Sequence, residues 1–177
     1  MLASYALPAV AIWIALGACL AAIRLPAVAL ACATAYGCYY GISELAGRRG
    51  SPGRRWQVPQ SMMIGASPRR RLVVWGALLG PGFLTQNPYA GFGLLPLAVA
   101  AMRAAGAGPC LALAAVIGLA HGTARAAALL RDVRRPGPVT ATGQLDLLLK
   151  TIYWRRFDGV VLLAIAATAA AALADYF

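Results

Sequence analysis

The chain has 177 residues, of which 61% are hydrophobic and only 12% charged. A soluble domain averages about half apolar and a quarter charged, so this composition excludes an ordinary soluble enzyme, a disordered protein and a disulfide-stapled secreted domain. The net charge of +11 comes from basic residues lying almost entirely between apolar runs, which fits orientation in a membrane better than nucleic-acid binding. The expectation is an all-α, polytopic transmembrane helix bundle in one domain.

A helix needs about 20 apolar residues to cross the hydrocarbon core. The first predicted span is 4–23, with Pro8 near its start and Arg24 and Pro26 after its end. A signal peptide is not expected, because no Lys or Arg precedes the apolar run. Leu16-Gly17-Ala18-Cys19 has the form of a lipobox, but the apolar continuation Leu20-Ala21-Ala22-Ile23 argues against lipidation.

The second predicted span is 27–46. Ala29, Ala33, Gly37 and Gly41 recur every fourth residue and so share one face. Glu44 stands near the inner end of this span, with Arg48 following at i+4. Segment 47–71 is basic and carries Pro52, Pro59 and Pro68, so it reads as a loop.

The third apolar region, 72–102, is broken. Gly80, Pro81, Gly82 and Pro88 lie mid-span, and each proline removes a backbone donor and clashes one turn back. Unwound backbone at membrane depth survives only against protein or a wet cavity. Thr85, Gln86, Asn87 and Tyr89 would supply hydrogen-bonding groups there, in the manner of the discontinuous helices that form solute sites in transporters. The competing reading is a structural kink whose polar side chains satisfy the freed backbone.

The fourth predicted span is 109–130. Ala114, Gly118, Gly122 and Ala126 form a second small-residue row, and the two rows suggest contact faces that meet each other. His121 and Arg125 stand one turn apart, and intramembrane ionisable groups are costly enough to suggest function. His121 therefore joins the candidate substrate-binding set. Arg125, at a depth matching Glu44, is the expected ion-pair partner of that carboxylate. A second basic loop, 131–156, follows. Within it, 142–154 reads as a short interfacial helix with Leu145, Leu148, Leu149 and Ile152 on one face. The last span is 157–174.

The basic segments 47–71 and 131–156 hold thirteen of the sixteen Lys and Arg. By the positive-inside rule both are cytoplasmic, which requires the third region to cross once. The result is five crossings with the N-terminus cytoplasmic, in a bacterial inner membrane. A re-entrant third region would put the basic segments on opposite sides. The expected partners are the bilayer itself, anionic lipids at the basic loops, and a membrane-protein partner or a second copy of the chain; nucleic acid is not expected.

Cys19, Cys32, Cys38 and Cys110 form no Cys-x-x-Cys pair, and one histidine without a neighbouring carboxylate makes no metal site. No metal or cofactor is expected, and no soluble catalytic motif is present. The Gly/Pro-broken stretch from Leu79 to Leu97, preceded by a basic loop, resembles membrane proteins of the cytochrome-c-biogenesis and thiol-electron-conduit type. The resemblance implies proline-broken helices near the bilayer centre. That family works through cysteines beside its prolines; Gly82 follows Pro81 here, and only Pro109-Cys110 echoes the pattern, so no catalytic residue is carried over. The first functional expectation is a small transport or conduit protein with its site at the broken third span. The second is a non-catalytic accessory or assembly subunit, and the third an intramembrane thiol redox protein.

Overall fold

The computed structural model describes residues 2–48, 64–79, 89–134 and 141–177. Every regular element among them is helical. In chain order these are α1 (Leu2–Ala22), α2 (Pro26–Leu45), α3 (Pro68–Leu79), a 3-10 turn (Ala90–Leu94), α4 (Leu95–Ala101), a second 3-10 turn (Met102–Ala105), α5 (Ala107–Arg134) and α6 (Ala141–Ala174). Three segments are long and apolar enough to cross a membrane: Ala3–Ala22, Ala107–Ala128 and Leu149–Ala174. Much of their large apolar surface faces outward, including Leu7, Val116, Leu119 and Val160. An exterior of that kind needs lipid rather than water.

The bundle is built from two antiparallel helix pairs. In the first, α5 lies along α1: Gly122 meets Ala6 and Ala9, Gly118 meets Val10 and Trp13, and Ala114 meets Gly17. In the second, α6 lies along α2: Gly37 faces Leu162 and Ala166, and Gly41 faces Gly159 and Leu163. Lipid tails are as apolar as leucine, so such helices associate through close packing, and small residues let the backbones approach. A Cβ at Gly118 would sit 2.9 Å from Trp13 Cβ and from Val10 Cα, and one at Gly37 would sit 2.7 Å from the Leu162 carbonyl oxygen.

Both small-residue rows are therefore contact faces, but they do not face each other. The α2 row is spent on α6 and the α5 row on α1. Spacing identifies the face of a helix and says nothing of which neighbour it meets.

The broken third region joins the two pairs. α3 packs against the N-terminal end of α1, where Gly76 approaches the Tyr5 backbone. After the stretch 80–88, which lies outside the described residues, the chain re-enters as the 3-10 turn and α4. Ala90 and Leu94 pack into the α2/α6 core with Leu30, Ala33, Leu162 and Ala169, while Val99 enters the α1/α5 core beside Trp13, Cys110 and Ala114. The segment closes at Gly106, whose φ of +118° suits a residue without Cβ. There Arg103 Nε donates to the Ala21 carbonyl at the C-terminal end of α1 (2.8 Å).

The basic segments are more helical than composition suggests. Pro68–Arg71 belongs to α3, Arg131–Arg134 continues α5, and 141–156 is the first half of α6. The expected interfacial helix is thus continuous with the last span. α5 has 28 residues and α6 has 34, about 42 and 51 Å of helix at 1.5 Å per residue. Both exceed a hydrocarbon core of about 30 Å, so their cationic ends project beyond it. Arginine is a good helix former; a basic stretch marks water, not loss of helix.

Candidate functional site

Tyr89 has an extended backbone (φ −111°, ψ 134°), and the chain then turns into the 3-10 helix. The first N–H groups of a helix have no partner within it. A side chain of α6 partners one of them, and a side chain of α2 holds a carbonyl of the same turn. Asp158 Oδ2 accepts a hydrogen bond from the Gly91 backbone N–H (2.9 Å), and Tyr36 Oη donates to the Ala90 carbonyl (2.7 Å). Both contacts depend on absent side chains: a Cβ on Gly91 would collide with the Asp158 carboxylate, and one on Gly93 with the Tyr36 hydroxyl. The glycines of the turn are what allow the polar groups to reach the backbone.

Around this junction lies a pocket of about 380 Å³, lined by Tyr89, Phe92, Trp154, Phe157 and Asp158. Helical geometry brings these side chains together. In α6, positions 154, 157 and 158 share one face through i+3 and i+4 spacing. On the turn, residues three apart lie nearly above one another, which aligns Tyr89 with Phe92. Phe92 also touches His121 edge-on, with ring centroids 4.7 Å apart at 63°. Trp154 and Phe157 make a further edge contact at 5.8 Å.

Of the expected substrate-binding residues, the structure brings Tyr89 to this pocket, while His121 touches the lining residue Phe92 without being among the lining residues itself. Thr85, Gln86 and Asn87, and the break residues Gly80, Pro81, Gly82 and Pro88, lie outside the described residues.

The expected Glu44–Arg125 pair is not formed. Glu44, whose side chain is 1% exposed, pairs with Arg155 of α6. Arg155 Nη2 also donates to the Arg48 carbonyl (2.9 Å), tying down the end of α2. Arg125 lies on the other helix pair, within electrostatic reach of the buried Tyr5 hydroxyl. The partner comes from a different helix than expected, because α2 packs on α6 and not on α5.

Asp158 belongs to the candidate site and is not singled out by the sequence alone. It lies at the start of the last predicted span, 157–174. The available signal was its place four residues after Trp154, on the same face and inside a run that stays apolar to Ala174.

All four cysteines are free thiols. Cys110 is buried and its thiol donates to the Val99 carbonyl (3.2 Å), whereas Cys19, Cys32 and Cys38 are on the bundle's outer surface. Among the described residues no cluster of His, Cys, Asp or Glu could hold a metal ion. No protein-family model, curated protein or solved structure matches the chain.

Proposed function

We propose that the chain is a small multi-pass membrane protein that binds a solute where its broken third crossing restarts and moves it across a bacterial inner membrane. The observation that carries this reading is the turn Ala90–Leu94: its backbone is held by Tyr36 and Asp158 rather than by a continuing helix, and a pocket opens beside it. Irregular backbone at membrane depth is tolerated where it lines a cavity, and such restarts serve as solute sites in transporters.

The proposed topology has five crossings with the N-terminus and both basic segments cytoplasmic. Supporting it, the third region begins beside the N-terminal end of α1 at Gly76 and ends beside its C-terminal end at Arg103. A re-entrant hairpin would return to the end it started from. The small-residue rows, which could have spoken for an accessory subunit docking into a larger complex, are occupied within the chain.

The test is flux into liposomes containing only the purified full chain, with a panel of labelled ions and small solutes. At least one solute should enter faster than in protein-free vesicles, and Asn87→Ala and His121→Ala should lower that rate without lowering protein abundance. A panel without any flux, from a protein that disappears from cells when a co-purifying complex is deleted, would favour the accessory reading.

A further inference from the structure

The pocket's chemistry narrows what it can hold. Four of its five lining side chains are aromatic, and the fifth, Asp158, is a half-buried acid. Ring faces carry negative electrostatic potential and repel anions while attracting cations. Among the described residues no cation pairs with Asp158. Its hydrogen-bond partners are the backbone N–H groups of Gly91 and Ala90, dipoles without net charge. Arg155, which acts on Asp158 through space, makes its direct contacts with Glu44 and the Arg48 carbonyl. Acidic side chains in membrane helices characteristically face the bundle interior or a cavity and find a partner there. At about 380 Å³ the cavity is at the small end of ligand sites.

Resting on the solute-site reading above, we propose that this pocket receives an alkylammonium group, with Asp158 facing its charge and Tyr89, Phe92, Trp154 and Phe157 forming the aromatic wall around its methyl or methylene groups. Quaternary and substituted ammonium ions are bound through aromatic cages in this manner. A compact, strongly hydrated ion such as Na⁺ would leave the aromatic wall unused, and a neutral solute would leave the carboxylate uncompensated. Two sources offer the same chemistry: a free organic amine, or the headgroup of a choline- or ethanolamine-bearing lipid.

The experiment is calorimetric titration of benzyltrimethylammonium chloride into the full chain, held in nanodiscs of phosphatidylglycerol, which has no ammonium headgroup. Saturable binding is expected, weakened at least tenfold by Asp158→Asn and by Trp154→Leu. Trp154→Leu is the safeguard, because Asp158 also holds the turn whereas Trp154 stands at the pocket's outer side. The neutral isostere 3,3-dimethylbutan-1-ol should bind at least tenfold more weakly than choline.

Equal binding of the isostere and choline would overturn recognition by charge. No heat of binding, in a protein that still moves some other solute in the liposome assay, would overturn the cation assignment and leave the transport reading standing. Cation binding without flux of any cation would support the pocket assignment and remove transport. Repeating the titration in phosphatidylcholine nanodiscs separates the sources: lost binding assigns the pocket to a lipid headgroup, and retained binding to a free amine.

Discussion

The two helix pairs are assembled by the same device and used differently. Along α1/α5, glycines and alanines on α5 and at Gly17 make room for Trp13 and Val10, and the middle of the seam around Trp13, Cys110 and Ala114 is apolar. Along α2/α6, Gly37, Gly41 and Gly159 bring the backbones equally close, but the polar groups of Tyr36, Glu44, Arg155 and Asp158 are gathered at one end. Close packing supplies a rigid frame in both pairs. The second presents charged and hydroxyl groups to the turn Ala90–Leu94, whereas the first meets the same segment through the Cys110 thiol and the His121 ring.

Substitutions separate the two roles. The largest effect is expected from Gly118→Leu in the α1/α5 seam, where the new side chain must displace Trp13 and the α1 backbone; overpacking of this kind should cost about 3 kcal/mol. Thermal unfolding in detergent reads it, and an unchanged midpoint would mean the seam is not close-packed.

Next comes Glu44→Ala, which strips Arg155 of its partner at a partly exposed site and should cost about 2 kcal/mol. A double-mutant cycle sharpens the point. Glu44→Ala and Arg155→Ala should be strongly non-additive, while Glu44→Ala and Arg125→Ala should add, since those two lie on different helix pairs.

Tyr36→Phe should remove about 1 kcal/mol from the turn alone. Amide exchange at Ala90–Leu94 should quicken by about fivefold with little change in the global midpoint. A fall in the midpoint as large as that of Gly118→Leu would mean the turn is part of the frame and not a fitting attached to it. The smallest effect belongs to Thr168→Val. Its hydroxyl donates only to carbonyls of its own helix, at Ala164 and Ile165, so the change should stay within about 0.5 kcal/mol.

What was legible in the sequence follows the same division. Helix existence was readable wherever apolar length did the deciding: the predicted 4–23, 27–46 and 109–130 match α1, α2 and α5 closely, α5 running on a few residues past its predicted end. The faces of α2 and α5 were readable from their four-residue rows. Adjacency was not, because neither periodicity nor depth carries information about which helix lies alongside. That one gap produced both the supposed meeting of the two rows and the Glu44–Arg125 pairing. Asp158 is not legible from the sequence, because its partner, the Gly91 N–H, comes alongside only once the turn is packed against α6.

Arg103 has a mechanical consequence. Its guanidinium moors one end of the segment 89–105 to the Ala21 carbonyl of α1, while the other end is held by Tyr36 and Asp158 and by the burial of Ala90 and Leu94. Loss of the two polar contacts alone would therefore leave the strut tethered at its far end and seated by its apolar anchors.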